Sequence, residues 1–76
     1  MRLIPLAPSA HVLEYAAFRI LFSYQLPVAV HNTVTDKAWR LSPSPSKTSS
    51  RHINAFFVGL NVPVGELTQA EIDQLF

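Results

Sequence analysis

The chain contains no cysteine, which removes disulfide staples, thiolate metal ligands and a thiol nucleophile at once. It has only two glycines, Gly59 and Gly65, too few and too far apart for a loop that cradles phosphate. Charged residues are 14% of the whole, against roughly a quarter in ordinary soluble domains. Six Lys or Arg against five Asp or Glu leave a net charge of +1, far from the basic balance of a typical nucleic-acid binder. Long apolar runs are missing too: Arg19, Ser23 and Gln25 interrupt the longest well short of the ~20 residues that span a bilayer. Arg2 followed by LIPLAP is too short and too proline-rich for a signal peptide, so a cytoplasmic chain without membrane contact is expected.

What is present is apolar. Hydrophobic residues make up 49% of 76 residues, enough for one domain over 1–76. A chain of that size buries only about 60% of the surface it exposes when unfolded, so its core is thin. Few charges over a small surface leave apolar area that suits a partner or a second copy, making a homo-oligomer one expectation.

The most informative stretch is Ser46 to Leu60, SKTSSRHINAFFVGL. Ile53, Phe56, Phe57 and Leu60 fall at i, i+3, i+4 and i+7, one stripe of a helix, while Lys47, Arg51 and Asn54 form a polar ridge on another side. Pro45 keeps the helix from starting earlier, Ser46 or Thr48 supplies the N-cap, and Gly59 stands where a left-handed residue ends it. The spacing predicts a helix over about 47–59. Near the end of the chain, Thr68 with Glu71 forms a capping box and Leu67 with Ile72 a hydrophobic staple, which predicts a short helix over about 69–75 whose apolar face is Ile72, Leu75 and Phe76.

Upstream, Pro5 and Pro8 forbid a helix, and residues 1–10 read as an irregular lead-in. Residues 11–24 fit a helical stripe capped by Ser9, but FRILFSY is dense in aromatic and branched residues and favours a strand over about 18–24, with a weaker extended segment at 12–15. Val28 to His31 and Ala38 to Ser42 flank the polar turn NTVTDK in the manner of a hairpin, with Trp39 as a core anchor. The Ser-Pro tract 42–50 is a connector between strand and helix. The fold class expected is α+β: a small antiparallel sheet of two or three strands over about 12–42, packed on the 47–59 helix, with the short C-terminal helix docked at one edge.

Chemistry-bearing groups are sparse. His11, His31 and His52 lie about twenty residues apart without carboxylates at ligand spacing, so no metal and no cofactor is expected. Ser49 and Ser50 adjoin His52, but near neighbours on a helix point in different directions and do not make a catalytic pair. Catalysis is not expected. The constellation to weigh is Lys47, Ser49, Ser50, Arg51 and His52, with Ser46, Thr48, Arg40 and Lys37 nearby. Hydroxyls, free amides and cations at a helix start suit a phosphate or other anion, and equally they are what capping a helix requires.

Ser23, Tyr24, Pro27, Val28 and Ala29, followed by Ser46, Thr48, Ser50, Arg51, His52, Ile53 and Asn54, resemble a group of small phage-encoded domains. Their pattern is a Ser-Tyr-x-x-Pro-Val-Ala hairpin and then a Ser-x-Thr-Thr-Ser-Lys/Arg-His-Ile-Asn helix start. Ser49 replaces a second threonine here, and the Pro-Ser insertion before it is atypical. The resemblance covers about residues 18–57 and implies a hairpin sheet, a following helix and a phage origin. The expectation for function is accordingly a non-enzymatic interaction protein in the host cytoplasm that binds a host protein, such as transcription machinery or a defence complex, and modulates or inhibits it. The alternative is nucleic-acid or anion binding through Lys47, Ser49, Ser50, Arg51, His52 and Arg40.

Overall fold

The computed structural model describes residues 2–43, 45–60 and 62–74. Six strands, β1 (Arg2–Ala7), β2 (Ala10–Tyr15), β3 (Phe18–Ser23), β4 (Leu26–Asn32), β5 (Lys37–Leu41) and β6 (Val64–Leu67), lie side by side in chain order. The helix α1 (Lys47–Phe57) intervenes between β5 and β6, and α2 (Gln69–Asp73) follows β6. The first five strands are antiparallel neighbours, whereas β6 runs parallel to β5. A parallel neighbour requires a crossover, and α1 is that crossover.

Period-two alternation sorts the strand residues onto two faces. Ile4, Val12, Leu21 and Ala29 lie in register on the first face, together with Ala10 and Ser23. This face meets α1: Ile53 and Phe56 join Val12, Leu21 and Ala29 in one buried cluster, which Ile72 of α2 also enters beside Val28 and Leu41. Burying an Ile or Phe side chain stabilises by roughly 1.5–3 kcal/mol. The second face carries a row that crosses the sheet in register, Leu3, Leu13, Ile20, Val30, Trp39 and Gly65. A β-bulge between Leu21 and Phe22 pairing leaves Val28 as the extra residue and bends the sheet there.

Two-residue loops join β2 to β3 and β3 to β4, and the first residue of each, Ala16 and Tyr24, has positive φ (53° and 60°), as the primed turns of tight hairpins demand. Asn32 Oδ1 accepts from the backbone N–H groups of Val34 and Thr35, closing the β4–β5 loop, where His31 Nε2 also lies 2.9 Å from the Asp36 carboxylate.

The helix boundaries follow the capping chemistry. Ser46 is the N-cap of α1 and its hydroxyl accepts from the Ser49 N–H; Gly59 takes φ 78° just past the helix end. Both bonds of the Thr68–Glu71 capping box are present. The helices are shorter than expected, ending at Phe57 and Asp73, and the expected apolar contribution of Leu75 and Phe76 lies outside the described residues. Leu60 is half-buried rather than buried.

Three expectations are corrected. The sheet has six strands and mixed direction, not two or three antiparallel strands over 12–42. Residues 2–7 are no irregular lead-in but the outer strand β1, because at a sheet edge Pro5 lacks an N–H that the ladder can spare. The strand β6 carries almost no local signal; it forms because the crossover returns the chain beside β5. Gly65 allows that approach, since a Cβ there would stand 2.9 Å from Trp39 Cδ1. Trp39 is thus half-buried on the second face and not part of the central cluster. No helix among the described residues is long and apolar enough to cross a membrane.

Ile53 is fully buried between α1 and the sheet. Ile53→Ala is expected to cost about 2–5 kcal/mol in urea unfolding, whereas Asn54→Ala, one residue on and exposed, should stay within about 0.5 kcal/mol.

Candidate functional site

Ser23 ends β3 on the face that α1 covers, and only 1% of it is exposed. A hydroxyl so placed must find partners or forfeit its hydration, a loss of about 1–3 kcal/mol. It finds two on the helix. Ser23 Oγ lies 2.8 Å from His52 Nδ1 and 2.9 Å from Ser49 Oγ. Ser49 and His52 are three residues apart, hence on one side of α1, and both are buried. Ser46 Oγ in turn stands 3.3 Å from Ser49 Oγ. One direction of donation satisfies the series: Ser46 donates to Ser49, Ser49 to Ser23, and Ser23 to the lone pair of His52 Nδ1.

Above this cluster sits Tyr24, whose ring centroid is 6.2 Å from that of His52, at 58°. Tyr24 is 58% exposed and yet fixed: it opens the β3–β4 turn with φ 60°, and its backbone N–H donates to the Ser9 carbonyl at 2.6 Å. A bulky residue in the left-handed region costs on the order of 1–2 kcal/mol. Such conformations persist where the surroundings enforce them, and they gather at functional sites. Pro8, Ser9, His11, Tyr24 and Gln25 enclose an open groove of about 450 Å3 beside it.

The structure therefore divides the residues singled out from sequence. Ser49 and His52 turn inward to Ser23; Lys47 and Arg51 are exposed one turn apart on the outer side of α1; Ser50 is half-buried between them. Arg40 stands on β5 opposite Ala29 and Glu66, whereas α1 packs mainly over β1, β3 and β4, so Arg40 and the helix start do not converge into one basic patch. His52 Nδ1 reaches a serine hydroxyl across the helix–sheet interface.

Sequence reasoning missed Ser23 and Tyr24 as site residues. A signal existed: once β3 is a strand, Ser23 shares the face of Leu21, and a hydroxyl on a face destined for burial needs polar partners from the covering element. The Ser23–His52 distance matches that of a nucleophile and its base, but a nucleophile has to meet its substrate, and this one is sealed beneath the helix. The arrangement is a polar lock between sheet and helix. Among the described residues, no three His, Asp or Glu side chains come together to hold a metal ion.

Ser23→Ala leaves Ser49 and His52 without their shared partner and should destabilise by about 1–3 kcal/mol in chemical denaturation. His52→Asn, whose amide can occupy the Nδ1 position, should cost measurably less than His52→Ala.

No curated protein and no solved structure matches the chain. A family model does, over nearly its whole length: matched across residues 1–74, the chain belongs to the family of unknown function DUF8033.

Proposed function

We propose that this chain is a non-enzymatic interaction protein that binds a host protein, such as a component of the transcription machinery or a defence complex, and modulates or inhibits it through the surface around Tyr24. The observation that carries the reading is an exposed tyrosine held at positive φ and braced from below by a buried hydrogen-bonded cluster. Binding hot spots favour tyrosine, whose ring gives a large amphipathic contact. A backbone already held in its turn loses little further entropy on binding. The groove beside it can receive an apolar side chain of the partner. Lys47 and Arg51, exposed on the helix whose inner side holds His52, favour an acidic partner and speed encounter with it. The host context comes from the resemblance to phage-encoded domains.

Full-length tagged protein incubated in host lysate, with and without nuclease, tests the reading by mass-spectrometric identification of what is retained. One stoichiometric protein that survives nuclease is expected. Tyr24→Gly should lose it while keeping or raising fold stability by about 1 kcal/mol, because glycine adopts positive φ without strain. Retention of the partner by Tyr24→Gly would count against the Tyr24 surface, and a bound species that vanishes with nuclease would count for nucleic-acid binding instead.

A further inference from the structure

His31 is buried, and its two ring nitrogens fare unequally. Nε2 donates to Asp36 Oδ1 at 2.9 Å, whereas Nδ1 is sealed from water with no hydrogen-bond partner among the described residues. A buried imidazole that forfeits the hydration of one nitrogen calls for an explanation. Closing the β4–β5 loop does not supply it. Asn32 Oδ1 already accepts from the N–H groups of Val34 and Thr35, and the Asp36 N–H donates to the Asn32 carbonyl at 2.8 Å. What His31 adds is a fixed position for a carboxylate whose side chain is 66% exposed. Asp36 in turn lines an open cavity of about 310 Å3 together with Lys37, Ala38, Trp39, Pro63 and Gly65. That volume lies at the small end of ligand sites, roughly 300–1,000 Å3. We propose that this cavity binds a free amino acid with an apolar side chain, Asp36 taking its ammonium and Lys37 its carboxylate.

Charge selects that class. Asp36 and Lys37 put one anion and one cation side by side on the lining. A simple cation or a simple anion gains from one and loses to the other, while a molecule carrying both charges gains from each. The remainder of the lining is apolar and fits the side chain: Ala38, Pro63 and the half-buried indole of Trp39, whose ring offers a stacking surface. Gly65 keeps the edge of that ring clear, since a Cβ there would stand 2.9 Å from Trp39 Cδ1 and 3.4 Å from Nε1. The indole N–H on this edge is a second donor for the carboxylate. Asp36 and Tyr24 adjoin opposite ends of β4, so the cavity is separate from the surface proposed for the host partner.

Titration of the intact chain with L-phenylalanine, L-leucine and L-proline tests the site. Trp39 is the one tryptophan, so its emission reports the cavity directly, and calorimetry gives the stoichiometry. At least one of the three is expected to shift the emission saturably, one molecule per chain. The amine and the N-acetylated analogue of that amino acid, each lacking one charge, should bind on the order of tenfold more weakly or worse. Asp36→Asn retains an acceptor for His31 and a residue type that tolerates φ 59°, so the fold should persist. It should nevertheless lower affinity by about tenfold, as should Lys37→Gln, while Tyr24→Gly should leave affinity unchanged. An emission unmoved by all three amino acids up to their solubility overturns the proposal. So does equal binding of the singly charged analogues, or full affinity in folded Asp36→Asn.

Discussion

The hydroxyl of Ser23 is the constraint on which the arrangement of sheet and helix depends. Apolar contact between Ile53, Phe56 and the first face is non-directional, and it would tolerate small rotations and slides of α1. Hydrogen bonds from one buried oxygen to Ser49 and His52 do not. They fix the turn of the helix that faces the end of β3 and its rotation about its own axis. Because each member is buried, a helix shifted by one residue would strand several polar groups at once. The N-cap is tied into the same series, since Ser46 accepts from the Ser49 N–H and approaches the Ser49 hydroxyl. Helix initiation and helix docking are therefore one event in chemical terms.

The same cluster explains how a strained turn is sustained. Tyr24 follows Ser23 directly, so fixing Ser23 fixes the backbone entering the turn, while the Ser9 carbonyl holds the Tyr24 amide from the neighbouring hairpin. His52 lies close enough for its ring to brace the tyrosine ring. At the other end of the first face a second polar system closes the core: Arg2 and Arg19 both approach the Glu14 carboxylate, and the Arg19 guanidinium sits 5.3 Å from the centre of the Phe56 ring. These exposed and half-exposed ion pairs contribute little individually. Their effect is to cap the aromatic end of α1 with a group whose charged tip remains in water.

The sheet's two faces thus have different chemistry for different reasons. The first is sealed by a helix and punctuated by buried polar groups that specify register. The second carries a continuous apolar row whose central Ile20 and Val30 are themselves buried, while Leu3 and Tyr15 toward its margin are exposed. The edges are treated differently again: β1 carries Pro5, which blunts edge pairing, and β6 is short.

The sequence by itself determined the local signals. A hydroxyl N-cap at Ser46 or Thr48, which the structure places at Ser46, Gly59 at positive φ, the Thr68–Glu71 capping box, the buried Ile53 and Phe56 with exposed Lys47 and Arg51, and the strand over FRILFS all follow from forces acting within a few residues. Tertiary structure decided what depends on distant partners. That Arg2–Ala7 is a strand depends on β2 beside it, and that VGEL pairs with β5 depends on a crossover helix and on the space Gly65 leaves for Trp39. The meeting of Ser23 with Ser49 and His52 joins residues 26 and 29 positions apart. Each of the two motifs that flank that meeting is visible as a string of residues. Their common purpose becomes visible only when the helix lies on the sheet, because a buried hydroxyl is satisfied by geometry in space and not by spacing along the chain.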